Sequence, residues 1–157
     1  MRFLFVDRVV ALEPGRSIET LKNVSTSEDV FADHFPGYPI LPGALVVESF
    51  EQASQLLIAV SHDFGRAGRL RAVQRAAFRH FVRPGDQLRV RSVCTTTTDG
   101  MWTMSASGEV DGRRVASAVL EFAIVPATGA DGEHAERLRE VVRVLGAAPI
   151  DLARGTP

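Results

Sequence analysis

Apolar and polar positions change period several times along the chain, and each change marks an element. Phe3, Phe5, Val9, Val10 and Leu12 make residues 2–13 a predicted strand, which Pro14-Gly15 turns. Ile18, Leu21 and Val24 among polar neighbours predict a second strand over 16–26. Residues 28–43 carry Pro36, Gly37, Pro39, Pro42 and Gly43 and read as a long irregular segment. A stretch of that length inside a compact domain is often functional.

No breaker then interrupts the chain until Gly65. Ala44 to Val60 is dense in leucine, valine, alanine and phenylalanine, and Pro42 suits a helix start. The apolar residues run most of the way round, which predicts a buried helix. Its polar exceptions, Glu48, Glu51, Gln52 and Gln55, recur at spacings of three and four and share one face.

Strand patterns follow over 69–82, 86–98, 101–110 and 114–125, punctuated by Pro84-Gly85-Asp86, Asp99-Gly100 and Asp111-Gly112. The two Asp-Gly pairs are strong hairpin signals. The order of strand, strand, long helix and four strands predicts an α+β fold, one antiparallel sheet wrapped around a central helix. Residues 1–126 form the predicted domain. Residues 127–132 read as a linker, Glu133 to Leu145 as an extra C-terminal helix, and the tail to Pro157 as frayed.

Composition excludes several classes. The 157 residues are 45% hydrophobic and 24% charged, ordinary for a globular chain with one core. No apolar run approaches a membrane span. Asp7 and Arg8 fall where a signal peptide continues its apolar stretch, so a cytoplasmic location is expected. The single cysteine, Cys94, excludes an internal disulfide and a cysteine-built metal site. Net charge is −1, which does not suit a nucleic-acid binder. The bases are nonetheless uneven: eight arginines lie between Arg66 and Arg91, with Asp86 the one acid among them. Two readings remain for this stretch: solvated strand faces, or a docking surface for an acidic partner.

The chemistry concentrates in residues 33–52. His34 sits in a Pro/Gly-rich loop, Glu48 lies on the second turn of the buried helix, and Gly43 stands at the helix start between them. Histidine titrates near neutrality and suits a base. A carboxyl on an apolar helix is kept protonated by desolvation and suits an acid. Backbone N–H groups at a helix start suit a developing oxyanion. Each residue alone also has an ordinary structural reading: a loop histidine, a solvated helix glutamate, a loop-ending glycine.

The motifs Phe-Val-Asp-Arg-Val at 5–9, His-Phe-Pro-Gly-Tyr-Pro-Ile-Leu-Pro-Gly at 34–43, Glu48 with Gln52, Arg-Pro-Gly-Asp-Gln-Leu at 83–88 and Gly-Glu-Val-Asp-Gly at 108–112 resemble the bacterial FabZ-type 3-hydroxyacyl-acyl-carrier-protein dehydratases. The matches keep family order over about residues 3–125. The resemblance implies a hot-dog fold and at least a homodimer, an oligomer of dimers or a heterodimer being open. It implies His34 as the base and Glu48, from the opposite subunit, as the acid. It further implies Gly43 as the N–H that polarises the thioester carbonyl and Gln52 as the residue orienting the acid. Phe35, Pro36 and Pro42 would line the acyl tunnel.

The expected reaction removes water from a (3R)-hydroxyacyl thioester to give a trans-2-enoyl thioester, in fatty-acid or polyketide and polyene biosynthesis. It needs no cofactor beyond the phosphopantetheine that carries the substrate on acyl carrier protein. Arg71, Arg75, Arg79 and Arg83, spaced to share a face of one strand, are the expected docking residues for that acidic carrier. Two alternatives are a hot-dog acyl thioesterase and a subunit of a heterodimeric dehydratase that is inactive alone. Glu51 competes with Glu48 for the role of acid, and the family match favours Glu48. His62, His80 and His134 read as surface or structural residues.

Overall fold

The computed structural model describes residues 4–33 and 37–145. His34, Phe35 and Pro36 therefore lie outside the described residues.

The elements, in chain order, are β1 (Arg8–Glu13), β2 (Ser17–Asn23), α1 (Val30–Asp33), α2 (Gly43–Ser61), β3 (Arg66–Phe78), β4 (Gln87–Thr98), β5 (Met101–Val110), β6 (Arg113–Pro126) and α3 (Gly129–Leu145). The six strands form one antiparallel sheet in the order β1-β2-β4-β5-β6-β3. β3 is thus an outer strand although it lies mid-chain. Both predicted Asp-Gly turns are tight hairpins. Asp99 and Gly100, like Asp111 and Gly112, hold left-handed φ angles of 47° and 74°, and 50° and 74°. Those angles match the right-handed twist of the strands they join.

The sheet wraps around α2, whose Phe50, Ala53, Leu57 and Ile58 are wholly buried. They pack against Leu88 and Val90 of β4, Met104 of β5 and Leu120 and Phe122 of β6. Helix and sheet approach closely at Gly68, where a Cβ would stand 2.6 Å from the Ile58 side chain. A polar contact crosses this core. The Ser54 and Ser92 hydroxyls lie 2.7 Å apart, and Ser54 also donates to the Phe50 carbonyl, so the buried pair is satisfied within the core. Lys22 is similarly enclosed at 8% exposure; its Nζ donates to Asn23 O and Glu28 and lies 3.6 Å from Asp7.

Four features depart from the sequence reading. β1 begins at Arg8 rather than residue 2; residues 4–7 are not strand, although Phe5 and Val6 are buried. The irregular segment contains the short helix α1. Helix α3 begins at Gly129, inside the expected linker, and seats Ala135, Leu138 and Val142 in the protein interior. Finally, β3 ends at Phe78 and slips register against β6 between Leu70 and Ala72 and again between Val73 and Arg75. Arg71 and Gln74 are the extra residues. Each such bulge shifts the alternation of faces by one residue. The alternation expected to place Arg71, Arg75, Arg79 and Arg83 on one strand face therefore fails, and Arg79 and Arg83 follow the strand's end.

Candidate active site

Helix α2 starts where Pro42, with φ −54° and ψ 138°, hands extended backbone to Gly43. The Pro42 carbonyl accepts the N–H groups of Leu45 and Val46. Gly43 N–H is therefore one of the first-turn donors for which the helix itself has no acceptor. A larger residue at this position would need the Phe78 ring to move. A Cβ there would stand 2.9 Å from Cζ of Phe78, whose ring lies over the helix terminus.

Glu48 stands one turn further on, half-buried. Gln52 Nε2 donates to Glu48 Oε1 at 2.7 Å, and Gln52 Oε1 accepts Phe5 N–H at 2.8 Å. The backbone donor settles which end of the amide is oxygen, so the nitrogen faces the carboxylate. The polar stripe continues along the helix. Gln55 Nε2 donates to Glu51 Oε1 at 3.1 Å, and Gln55 Oε1 lies 2.9 Å from His134 Nε2 on α3.

Glu48, Gln52, Gln55 and His134 open onto a cleft of about 590 Å³. Leu4 and Val6 line one side, Glu48, Gln52, Gln55 and Leu56 the floor, and α3 the remaining wall. The combination of an apolar surface with a few converging polar groups is that of a small-molecule site. Burial, with the neighbouring Glu48 charge acting in the same sense, raises the Glu51 carboxyl to a pKa of about 6. Burial likewise lowers the His134 imidazole, with Arg137 acting in the same sense and Asp131 and Glu48 against it. Among the described residues no group of three or more His, Cys, Asp or Glu side chains could hold a metal ion, and no helix is long and apolar enough to cross a membrane.

The structure thus brings together Glu48, Gln52 and the α2 stripe, with Pro42 and Gly43 at the same helix's start. His34, Phe35 and Pro36 lie outside the described residues. The four arginines are exposed. Arg83 donates to the Tyr38 hydroxyl at 2.5 Å and lies over its ring, while Arg79 donates to Ser117. Tyr38 lies four positions after His34 in the sequence, so Arg83 contacts the segment that follows the histidine. His134 reached the site unforeseen. Its signal was present in the spacing, since His134, Leu138 and Val141 fall on one face of the C-terminal helix. His62 is structural as expected: its Nδ1 pairs with Ile58 O, and its ring leans on Trp102.

Comparison with known proteins agrees with this fold. A FabA-like domain matches residues 1–119. The 3-hydroxyacyl-acyl-carrier-protein dehydratase FabZ of Nitrosospira multiformis is 40% identical over 127 residues, which cover 78% of this chain and 87% of that protein. A Streptococcus mutans protein solved bound to acetyl CoA superposes with a TM-score of 0.65 at 15% identity, covering 80% of this chain and 94% of its own. A thioesterase superfamily member from Thermus thermophilus superposes with a TM-score of 0.63 at 17% identity, covering 86% and 96%. At such identities the solved structures establish the shared architecture and not the reaction. With a six-stranded antiparallel sheet closed around one long helix, and a FabZ relative matched over most of its length, the chain belongs to the FabZ-type dehydratases of the hot-dog fold.

Proposed function

We propose that this chain dehydrates (3R)-hydroxyacyl thioesters carried on acyl carrier protein, with fatty-acid biosynthesis as the pathway class and polyketide assembly as the specialised variant. The observation that carries the reading is the Phe5–Gln52–Glu48 chain, which holds a carboxyl in one orientation over an apolar cleft. In this reading His34 removes the C2 proton, which the thioester carbonyl acidifies. Gly43 N–H donates to that carbonyl as negative charge develops on its oxygen. Glu48 gives its proton to the C3 hydroxyl, which leaves as water while the C2–C3 double bond forms. Two proton transfers between positioned groups need no redox partner, and the substrate brings its own activation.

The active unit in this reading is a dimer, in which Glu48 of one subunit faces His34 of the other. The outer strand β3 favours it: its 13 residues end a sheet, and Val73, Phe78 and the following Phe81 are 44%, 54% and 61% exposed. Long apolar edges are pairing surfaces unless covered. Arg83 beside Tyr38, with Arg79, Arg75 and Arg71 exposed along and after β3, supports carrier docking near the His34 loop.

The test is a dehydration assay on hydroxyacyl carrier protein with mass detection of the enoyl product. Wild-type chain should form it. His34→Ala and Glu48→Gln should each lose about 10²–10⁴-fold, the ordinary worth of a general base or acid. Full activity in either variant overturns the assigned roles. Release of free carrier thiol without enoyl product would favour the thioesterase reading instead. Activity only on mixing with a second dehydratase subunit would favour the heterodimer.

A further inference from the structure

Helix α3 lies beyond the residues that the FabA-like domain matches, yet it forms a wall of the cleft that holds Glu48. Its attachment is firm, since Ala135, Leu138 and Val142 are buried and Arg69 of β3 pairs with Asp131 at its first turn. Among the described residues, α3 meets the polar stripe of α2 through a specific hydrogen bond. Gln55 gives its amide nitrogen to Glu51, so the oxygen is what it presents to α3, and His134 Nε2 must carry the proton it accepts. Where that network holds the Glu51 carboxyl sets part of the field at Glu48, three residues earlier on the same face.

We propose that His134 is a positioning residue for the Glu48 acid, acting through Gln55 and Glu51, so that α3 completes the polar face of α2. The proposal rests on the dehydratase reading for Glu48. Among the described residues, the groups facing His134 are Glu48 from α2, with Glu51 reached through Gln55, then Asp131, Arg137 and Glu140 from α3, and Arg69 of β3 by way of Asp131. Among the described residues, Leu4 and Val6 line the remaining side of the cleft without a charge. Removing the His134 imidazole takes away the donor to Gln55 Oε1 and lets water reach Glu51.

The experiment compares wild type, His134→Ala and His134→Gln in pH–rate profiles, with carboxyl carbon NMR following the Glu51 titration in each protein. The glutamine keeps an N–H that can reach Gln55. For His134→Ala we expect kcat to fall about three- to tenfold, as network substitutions typically do. KM should stay within about twofold, and one limb of the profile should move. The Glu51 midpoint should drop from about 6 toward the ordinary carboxylate range. His134→Gln should restore most of both. Equal losses in the two variants, an unmoved profile in His134→Ala, or a shifted Glu51 midpoint with kcat unchanged would each overturn the proposal. A wild-type chain without dehydratase activity would overturn the functional reading. The Glu51 midpoints would then decide separately whether His134 holds the network, and an unmoved midpoint overturns it. Thermal melts of both variants identify a loss that comes from unfolding.

Discussion

Gln52 holds Glu48 by a 2.7 Å hydrogen bond whose direction is dictated from elsewhere in the chain, by the N–H of Phe5. A backbone donor 47 residues away thus decides how a helix side chain meets its neighbour one turn back. Gln52→Leu should keep the helix but free Glu48 to rotate and leave Phe5 N–H without its acceptor. We expect kcat to fall about tenfold, within the range of network substitutions, and Tm to fall by a few degrees. Unchanged turnover would show that Glu48 is oriented by something other than Gln52.

Glu51 makes a statement about stability and pH. Its folded pKa of about 6 lies above the unfolded value of 4.5, so folding favours the protonated form. The stabilisation is fully present below pH 4.5 and is lost as the pH rises through about 6. Glu51→Gln should therefore raise Tm at pH 7.5 and leave it nearly unchanged at pH 4.5. The carboxyl is only half-buried and water screens it, so the gain should stay below about 1 kcal/mol, or roughly 2–4 °C. A larger gain at acid pH than at neutral pH would contradict the assigned cause.

Gly43→Ala tests the helix terminus. The new methyl meets the Phe78 ring and not backbone, and that ring is exposed enough to swing away. Folding should survive, with Tm falling by only a few degrees. The displaced ring then crowds the first-turn N–H groups, and kcat/KM should drop about tenfold or more, since one misplaced oxyanion donor costs up to 10²–10³. Phe78→Ala in the same background should recover part of the loss by making room.

Carrier docking is read from salt. Reversing Arg79 and Arg83 to glutamate should raise KM for carrier-bound substrate and flatten its dependence on ionic strength, because rim charges chiefly steer encounter. Turnover of a short thioester mimic should hardly change. Equal losses on both substrates would mean that the Arg83–Tyr38 and Arg79–Ser117 contacts are structural.

How legible all this was in the sequence depends on the range of the interaction. Pro42, the apolar run to Val60 and the two Asp-Gly pairs act locally, and the helix and hairpins lie where they predict. The polar stripe of α2 was legible because helical geometry puts spacings of three and four on one face. The bulges in β3 were not, since they follow from fitting 13 residues around α2 beside β6 and not from any residue's own preference. The four-residue helix α1 and the start of α3 have weak local signals. His134 needed a tertiary fact, that α3 folds back onto α2. Its partner Gln55 is 79 positions away.

The enclosure of Lys22 has a chemical consequence. It is the only lysine in the sequence; the other 17 basic residues are arginines. Activated acyl thioesters transfer their acyl groups to accessible amines, and guanidinium groups are poor acceptors of them. Lys22 Nζ is enclosed, its protons engaged by Asn23 O and Glu28 with Asp7 nearby. In its proposed role the protein meets reactive acyl donors continually while offering them no open lysine. Mass spectrometry after prolonged incubation with an acyl thioester should therefore find Lys22 unmodified. Asp7→Ala with Glu28→Ala, which unties the amine, should let the adduct accumulate. On this reading the burial of Lys22 would withhold the one lysine side chain of the sequence from acyl transfer.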